Sequence, residues 1–591
     1  MCRISGIVNP SKSIDELQSM VKEMCTILKH GGPDDEGFFI NKKNAMVLGH
    51  RRLALIDLSA CGHQPMSYIN DRYTISYNGE IYNYKELRSE LRQSGFTFST
   101  ASDTEVILAA FAAWGTRSFS RLNGMFAFAL WDNIEEKLFL VRDPSGIKPL
   151  YVAHTKEGLA FSSEMKGFRP LKYLQEEHEN WKIFMMAYGH LPEPVTTLKK
   201  VVPLKKGMYA CYTPSTNKFV ETQYVQNNFE EIQGNRAQAI EQLKAGMSQA
   251  VNRHLISDAP IGVFLSGGLD SSVLTLLAHE VHPSHVSTLS LYFSDEDYSE
   301  KKYQDLVISK LNCSYKQELL EEEEFHANLP SIVQAMDMPS CDGINTWFIS
   351  RFAKSQGLKA VLSGIGGDEY LGGYPSFSRM KKVRLLENIP AKLLSAGKYS
   401  ALKSLKRLGY LSLGGVAGKY LFLRGQFIPF EIADRLNVSE EYVWKVLKEN
   451  AGTTIDNLSN GNQASFIEVN YYMQNQLLRD VDVMSMAHGI EIRVPFLDKN
   501  MLNLFYRLKS KVKYPGEWPK QLLVDAYKDK LPAPIWKREK MGFGFPFRQW
   551  LANDDYVKSL VQPQEYKSFI TDNIHWSQFL TSMLIRKFEA A

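Results

Sequence analysis

The chain begins MCRISGIV, so a cysteine directly follows the initiator methionine. If Met1 is removed, Cys2 carries a free α-amino group beside its thiol, and one residue then holds both a nucleophile and a base. An unperturbed α-amino group has a pKa near ~8, which suits proton abstraction at neutral pH. By itself Cys2 can equally be an arbitrary second residue, so the rest of the sequence must decide its meaning.

A second candidate for chemistry is VFLSGGLDSS, residues 263–272, in which an apolar strand runs through two glycines into a helix. The glycines allow a tight turn close to an anion, and the N–H groups and dipole of the helix start favour phosphate. The hydroxyls of Ser266, Ser271 and Ser272 can hold phosphate oxygens. Asp270 would repel a bare phosphate and is therefore predicted as a Mg²⁺ ligand. The spacing differs from that of a Walker loop.

A similar stretch, VLSGIGGDEYLGGY, occupies residues 361–374. It again places glycines and an aspartate at the carboxyl end of an apolar strand, where ligands bind in open parallel sheets. Asp368 is predicted as a second Mg²⁺ ligand.

Composition limits the function classes. With 591 residues, 44% hydrophobic and 23% charged, the chain is typical of a soluble protein of two to four domains. A net charge of +4 without a dense basic cluster does not predict a nucleic-acid partner. No apolar run long enough for a membrane span and no signal peptide are seen, so we expect a cytoplasmic protein. The scattered cysteines fit a reducing compartment, and five are expected as small apolar residues: Cys25, Cys61, Cys211, Cys313 and Cys341.

The order of elements predicts an α/β protein of two domains, 1–220 and 235–591. Short β-type runs before residue 215 indicate antiparallel sheet with two helices, at 13–28 and 102–114, the second with a Ser102 cap and a capping box to Glu105. From residue 260, apolar strands alternate with helices, which is typical of a parallel sheet. Residues 376–591 look mainly helical.

SGGxDSS resembles the phosphate loop of ATP pyrophosphatases, and ordered motifs over nearly the whole chain resemble glutamine-dependent asparagine synthetases of the bacterial B type. The motifs are MCRISGI, HRRLALIDL, YNGEIYN, SDTE, NGMFAFALWD, RDPSGIKPLY, SSEMK, LLRDVDVMSMAHGIEIRVPFLD, YPGEWPKQLL and PIWKREKMGFGFPFRQWL. The resemblance implies an N-terminal-nucleophile αββα glutaminase sandwich, followed by a doubly wound parallel sheet of the ATP-pyrophosphatase type with many helices.

In the first half, the resemblance makes Cys2 the nucleophile that attacks the glutamine amide. Asn78 and Gly79 match the oxyanion hole, where each donor lowers the barrier by roughly 3 kcal/mol. Arg52 matches the partner of the glutamine α-carboxylate, while Glu80 and Asp103 match acceptors for the α-ammonium.

In the second half, the resemblance implies that a substrate carboxylate attacks the ATP α-phosphate, giving an acyl adenylate and pyrophosphate. Ammonia, carried through an internal tunnel, then displaces AMP. Lys520 matches the catalytic lysine, and Asp270 and Asp368 would hold Mg²⁺. Lys537, Arg538 and Lys540 either neutralise pyrophosphate or form a solvated basic turn. The implied ATP-binding residues are Leu265, Ser266, Gly267, Gly268, Asp270, Ser271, Ser272, Ser363 and Gly364.

Three departures from the family pattern leave the acceptor open. HGGPD, residues 30–34, has Gly31 where arginine is usual, which puts glutaminase coupling in doubt. Ile365 stands where asparagine-forming enzymes usually have an acid, and 341–354 replaces the aspartate-recognition stretch. Aspartate is the default acceptor, and a sugar uronate of surface polysaccharide or secondary metabolite biosynthesis is the main rival.

Two other functions compete with this one. The second half can be a non-catalytic binding module beside an active glutaminase, or the enzyme can be a cyclase that uses an internal amine, as in β-lactam synthetase relatives. Retention of Cys2 argues for ammonia and against the cyclase. A homodimer is left open.

Overall fold

The computed structural model describes residues 2–232, 234–283, 286–311, 314–387, 389–400, 403–516, 518–539, 541, 544–552, 554–572 and 574–589. The predictions for Cys313 and Lys540 lie outside the described residues. Among the described helices, none combines the length and the hydropathy that a membrane crossing needs.

Two six-stranded antiparallel sheets form the N-terminal part of the chain. The first has the spatial order Val202–Pro203, Tyr151–Thr155, Gly158–Ser162, Arg3–Val8, Met46–Arg52 and Asp35–Asn41. The second has the order Lys218–Gln223, Met208–Thr213, Lys137–Arg142, Gly124–Asp132, Tyr73–Ile81 and Met66–Tyr68.

The two sheets pack face to face, because buried side chains of both, such as Leu48 and Trp131, share one apolar cluster. The helix Ile14–Ile27 covers the outer face of the first sheet. The helices Tyr84–Gln93 and Asp103–Trp114 cover the second. Stacking of helix, sheet, sheet and helix confirms the predicted αββα sandwich.

The start of helix Asp103–Trp114 differs in one detail from the prediction. Ser102 caps the helix by accepting a hydrogen bond from the Thr104 N–H. The expected capping box with Glu105 is wrong, because the Glu105 carboxylate instead accepts hydrogen bonds from Ser99 and Thr100, backbone and side chain. Glu105 thereby fixes the loop in front of Asp103.

The C-terminal part is built around a five-stranded parallel sheet, which confirms the second half of the predicted fold class. Its spatial order is Tyr315–Leu319, Val286–Tyr292, Ile261–Phe264, Ala360–Leu362 and Glu491–Arg493. The central strand Ile261–Phe264 pairs in register with Ala360–Leu362. The two glycine-rich loops therefore leave neighbouring strands at the same edge, where open parallel sheets bind ligands.

Many helices surround this sheet. Those before residue 400 are Trp181–Tyr188, Arg236–His254, Leu269–Val281, Lys301–Leu311, Glu322–Ala335, Ile344–Ser355, Gly367–Leu371, Pro375–Leu386 and Ala391–Ser395. Those after it are Lys403–Lys406, Gly415–Arg424, Pro429–Leu436, Glu440–Glu449, Asn460–Ile467, the π-helical Glu468–Leu478, Arg479–Met486, Lys499–Arg507, Ser510–Lys513, Gln521–Tyr527, Ala533–Lys537, Phe547–Leu551, Asp555–Leu560, Pro563–Ile570 and Trp576–Glu589. The predicted domain limits stay a prediction. Residues 224–232 and 234–235, between the last antiparallel strand and the helix Arg236–His254, have no regular structure.

Candidate active sites

A pocket in the antiparallel half gathers residues from four separate elements. Cys2 precedes a strand of the first sheet, Arg52 ends another, Gly79 lies in the second sheet, and Asp103 begins a helix. The pocket is lined by Cys2, Arg52, Leu53, Leu55, Ile56, Gly62, Gln64, Tyr77, Gly79, Glu80, Ser102, Asp103 and Thr104. Five of the six predicted glutaminase residues thus meet here, all except Asn78: Cys2, Arg52, Gly79, Glu80 and Asp103.

Cys2 is a protected thiol that still faces this pocket. Its side chain and backbone are 7% exposed, and its Sγ lies 4.0 Å from the Leu53 carbonyl oxygen. Burial raises the pKa of the Cys2 thiol to about 11. A thiol of that pKa is protonated at neutral pH, so nucleophilic attack requires a nearby base.

Arg52 is held by the loop that follows its strand. Its Nη1 donates a hydrogen bond to the Ser59 carbonyl at 2.9 Å, and its Nη2 donates to the Asp57 carbonyl. A Cβ at Gly62 would lie 2.0 Å from Arg52 Nη2. Glycine at position 62 is therefore required for the guanidinium to take this position, where it can pair with a carboxylate.

Asn78 and Gly79 lie side by side in the strand Tyr73–Ile81. Gly79 lines the pocket, and a Cβ there would lie 2.2 Å from the Met125 carbonyl oxygen of the paired strand. The Asn78 side chain is fully buried, and neither of its polar atoms has a hydrogen-bond partner among the described residues, although it does not line the pocket itself. Burying an amide without hydrogen-bond partners costs free energy. The N–H groups of the Asn78 side chain are therefore available to donate to an oxyanion.

Two acids form the far side of the pocket. Asp103 Oδ2 accepts hydrogen bonds from the Tyr77 hydroxyl and the Ile81 N–H, both at 2.9 Å. Burial raises the pKa of Asp103, and burial together with Glu491 raises the pKa of Glu80 well above its usual range. Because a nearby cation would favour the charged form of both acids, this side of the pocket is suited to a substrate ammonium group.

A much larger cavity, of about 770 Å³, lies at the carboxyl edge of the parallel sheet. The predicted residues that line it are Ser266, Gly268, Asp270, Ser271, Ser363, Gly364, Asp368 and Lys520. Leu265 lines a neighbouring cavity of about 220 Å³ together with Leu289 and Leu291. Gly267 and Ser272 line neither cavity, and the Ser272 hydroxyl donates to the Gly268 carbonyl at 2.7 Å.

Lys520 joins the two glycine-rich loops electrostatically. Its Nζ lies 2.8 Å from Asp270 Oδ2 and 2.8 Å from Asp368 Oδ1, and its side chain is 11% exposed. Burial alone would lower the pKa of Lys520, but the two carboxylates raise it above its ordinary value. The lysine therefore carries its charge at neutral pH inside the cavity, and although it stands at the start of the helix Gln521–Tyr527 it is not a surface lysine.

Glycines let the two carboxylates approach. A Cβ at Gly367 would lie 2.5 Å from Asp270 Cγ, and a Cβ at Gly373 would lie 1.7 Å from Asp368 Oδ1. The spacing of glycines in residues 361–374 thus follows from the space that these two side chains occupy.

The same two carboxylates fit Mg²⁺. They converge on one cationic nitrogen, which shows that a single positive centre can contact both. No cluster of three or more metal-ligating side chains occurs in the part of the chain that the structure describes. Mg²⁺ is commonly bound by one or two carboxylates plus substrate phosphates, so Asp270 and Asp368 would need the nucleotide to complete the site.

Ile365 lines both cavities, and so does the carboxyl-bearing Asp342. Burial raises the pKa of Asp342, and burial raises the pKa of Asp480, in the wall of the smaller cavity, to about 7. An acid is therefore present near residue 365 although position 365 itself has none. Sequence reasoning missed Asp342 because it looked for the acid in the glycine-rich loop.

Arg424 was also missed, because the helix Gly415–Arg424 carries no motif. It lines the larger cavity, with its Nη2 2.8 Å from Glu468 Oε2 and its guanidinium over the rings of Tyr374 and Tyr472. The larger cavity thus contains an arginine that the sequence did not point to. Its charge is already matched by a buried glutamate.

The two described residues of the predicted basic group, Lys537 and Arg538, differ in their position relative to the cavity. Arg538 lines the cavity, donates from Nη2 to the Gly267 carbonyl at 3.1 Å, and forms an ion pair with Glu300. Lys537 does not line it. Of the two basic residues that the structure describes here, Arg538 is the one that lines the cavity.

Comparison with known proteins shows what the chain resembles. A family described as "Glutamine amidotransferase domain" matches residues 1–225, and one described as "Asparagine synthase" matches residues 242–574. "Asparagine synthetase [glutamine-hydrolyzing] 1" of Bacillus subtilis is 32% identical over 96% of this chain and 91% of its own length. "Asparagine synthetase B [glutamine-hydrolyzing]" of Escherichia coli is 28% identical over 75% of this chain and 76% of its own.

Proposed function

Since the chain belongs to the asparagine synthase family of glutamine-dependent, ATP-using amidotransferases, we propose that it forms an amide from a carboxylate acceptor. The acceptor carboxylate attacks the ATP α-phosphate and releases pyrophosphate, and ammonia from glutamine then attacks the acyl adenylate and releases AMP. The observation that supports this best is the meeting of Asp270, Asp368 and Lys520 at the cavity edge.

In the glutaminase half, Cys2 Sγ attacks the side-chain amide of glutamine after Met1 is removed. The raised pKa of the thiol calls for a base, which the freed α-amino group supplies, and the same group returns the proton to departing ammonia. The N–H of Gly79 and the unpaired Asn78 amide stabilise the oxyanion. Arg52 binds the α-carboxylate, and Glu80 and Asp103 the α-ammonium.

In the synthetase half, Ser266 and Ser271, with the N–H groups of the helix Leu269–Val281, bind phosphate oxygens. Lys520 neutralises charge that develops on the α-phosphate and pyrophosphate. Mg²⁺, held by Asp270 and Asp368, would supply further positive charge to the phosphates. The apolar wall around Leu265 suits the adenine ring.

Aspartate is the acceptor we propose first, because the family relatives are asparagine synthetases. Its α-ammonium requires an acid, and Asp342 is a carboxylate that lines the same cavity as Ile365. A sugar uronate is the second candidate. The tyrosines that line the cavity on this side favour it, because aromatic rings pack well against large, partly apolar ligands: Tyr188, Tyr374, Tyr420 and Tyr472.

The test is release of AMP and pyrophosphate from Mg²⁺-ATP and glutamine with a panel of carboxylates that includes aspartate, glutamate, glucuronate and galacturonate. Production of AMP, pyrophosphate and glutamate with one acceptor supports the proposal and identifies the acceptor. If no carboxylate elicits pyrophosphate, the proposal fails. Glutaminase activity that ATP and acceptors never stimulate would indicate a non-catalytic second half.

A further inference from the structure

A buried network of ion pairs joins the two halves of the chain directly behind the candidate nucleophile. Arg3, the residue after Cys2, is fully buried, and its Nε lies 2.5 Å from Glu164 Oε1 in the antiparallel half. Its Nη1 lies 2.9 Å from Asp482 Oδ2, in the helix Arg479–Met486 of the other half. One guanidinium therefore spans the boundary between the halves, next in sequence to Cys2.

Both acids have further cationic partners. Lys166 Nζ lies 2.8 Å from Glu164 Oε2, and Lys148 Nζ lies 2.9 Å from Asp482 Oδ1. Burial would raise the pKa of each carboxyl, but His30, whose Nε2 lies 2.9 Å from Glu164 Oε1, holds the pKa of Glu164 well below its usual range together with Lys166 and Arg3. Arg3 and Lys148 hold the pKa of Asp482 below its usual range. The acids therefore keep their charges, and loss of the guanidinium alone leaves each with a partner.

The helix that carries Asp482 also reaches the nucleotide side. Asp480 and Val481 line the cavity of about 220 Å³, together with Ser266 and Ser363. Two residues further along the same helix, Asp482 contacts the guanidinium. A shift of this helix on nucleotide or acceptor binding would act on the strand that begins next to the nucleophile.

The absence of a side chain at Gly31 leaves the space that the Arg3 side chain occupies. A Cβ at residue 31 would lie 2.8 Å from both Arg3 Cγ and Arg3 Nε. The arginine that is usual at this position in the family cannot coexist with the Arg3 side chain in its present place. The absence of a charge at residue 31 is thus matched by a charge that enters the same space from residue 3.

We propose that Arg3 is a positioning residue that couples Cys2 to the nucleotide cavity, and that it takes the place of the side chain that residue 31 lacks. This inference deepens the proposed function and rests on it, because it presumes that Cys2 is the nucleophile. Coupling between sites in proteins amounts to a factor of roughly 5 to 150.

The test measures alkylation of Cys2 by iodoacetamide, followed by mass spectrometry of its peptide, with and without Mg²⁺-ATP. We expect ATP to change the Cys2 rate at least ~5-fold in the native chain and less than ~2-fold in Arg3→Ala. The exchange variant Arg3→Gly/Gly31→Arg should restore the response, because its guanidinium starts from the same space. Arg236→Ala, which removes an arginine paired with Asp525 at the surface, is the control and should respond as the native chain does.

An ATP response that is equal in the native chain and Arg3→Ala, or absent from the native chain, overturns the coupling. An exchange variant that behaves as Arg3→Ala overturns the replacement of residue 31. If Arg3→Ala does not fold, Asp482→Asn breaks the same pair with the shape of the side chain kept and should lose the response as well.

Alkylation needs no amide product, so its result is separate from that of the acceptor panel. A failed panel with a retained, Arg3-dependent response refutes the proposed function and leaves the coupling in place. With an acceptor in hand, Arg3→Ala should raise the ratio of glutamate to pyrophosphate at least ~5-fold. Ammonia-dependent pyrophosphate release should stay within about two-fold of the native rate, which a merely destabilised protein would not achieve.

Discussion

Replacement of Lys520 by glutamine removes the ammonium group that lies between Asp270 and Asp368. The side chains of Lys520, Asp270 and Asp368 are 11%, 11% and 18% exposed, so the substitution removes, in a largely buried place, the cation that contacts both carboxylates. Breaking such a buried pair costs about 3–5 kcal/mol of folding stability. The loss of a preorganised charge at a reacting phosphate lowers the rate by roughly 10²–10³, or about 2.7–4 kcal/mol.

Two assays on Lys520→Gln separate these effects. Pyrophosphate release with saturating ATP and acceptor should fall by roughly 10²–10³ with either nitrogen donor. Thermal unfolding should show a larger stabilisation by Mg²⁺ in the variant than in the native chain, because the lysine no longer competes with the metal for the two carboxylates. Since the pKa of Lys520 is raised, its charge should contribute no pH dependence to the native rate below pH 9.

Lys528→Gln is the matched control. Lys528 follows the helix Gln521–Tyr527, which begins next to Lys520, and its side chain is 47% exposed. Its Nζ lies 3.8 Å from Asp525 Oδ1. Exposed pairs contribute about 0–1 kcal/mol, so this variant should keep the native rate and stability. Pyrophosphate release by Lys520→Gln within about three-fold of the native rate would refute an electrostatic role for the lysine.

Three further predictions follow from the site geometry. Gly62→Ala places a methyl group against Arg52 Nη2 and should raise the KM for glutamine roughly 10- to 100-fold in steady-state assays, with ammonia-dependent synthesis unchanged; an unchanged KM would contradict the clamp. Burial holds the pKa of His50 at about 3, so the folded protein loses stability as the pH falls from 6.5 toward 3. In urea unfolding, the free energy of unfolding of His50→Gln should therefore fall by roughly 3 kcal/mol less than that of the native chain between pH 7 and pH 4. Equal losses in the two proteins would refute this. Asp342→Asn should lower acceptor-dependent pyrophosphate release roughly 10²-fold or more if Asp342 serves the missing acid at Ile365, and an unaffected rate would exclude that role.

The two candidate sites could be predicted from the sequence by different routes, a local motif for one and a family resemblance for the other. SGGLDSS is one continuous stretch that runs from a loop into the helix Leu269–Val281, and its spacing alone indicates a phosphate loop before any fold is known. Cys2, Arg52 and Asp103 required a resemblance, because no local pattern says that a strand start, a strand end and a helix start will meet.

Several residues that line the larger cavity escaped prediction for a physical reason. Arg424 and Tyr472 lie on helices far from the glycine-rich loops in sequence, and each resembles an ordinary helical residue until the chain is folded. The π-helical stretch Glu468–Leu478, which brings Tyr472 and Gln476 to the cavity, has no sequence signal that we recognised. The sequence alone indicates a lost charge at position 31, because Arg3 stands 28 residues away in the chain and its side chain meets Gly31 only in the folded protein.

The most direct test of the two-site account is nitrogen transfer by Cys2→Ala. Amide formation is measured by mass spectrometry with the acceptor from the panel and Mg²⁺-ATP, once with amide-¹⁵N-glutamine and once with ¹⁵N-ammonium chloride. We predict that the native chain incorporates label from both donors and that Cys2→Ala incorporates label from ammonium alone, at a rate close to the native one. Equal loss with both donors, or continued transfer from glutamine in the variant, would contradict the account.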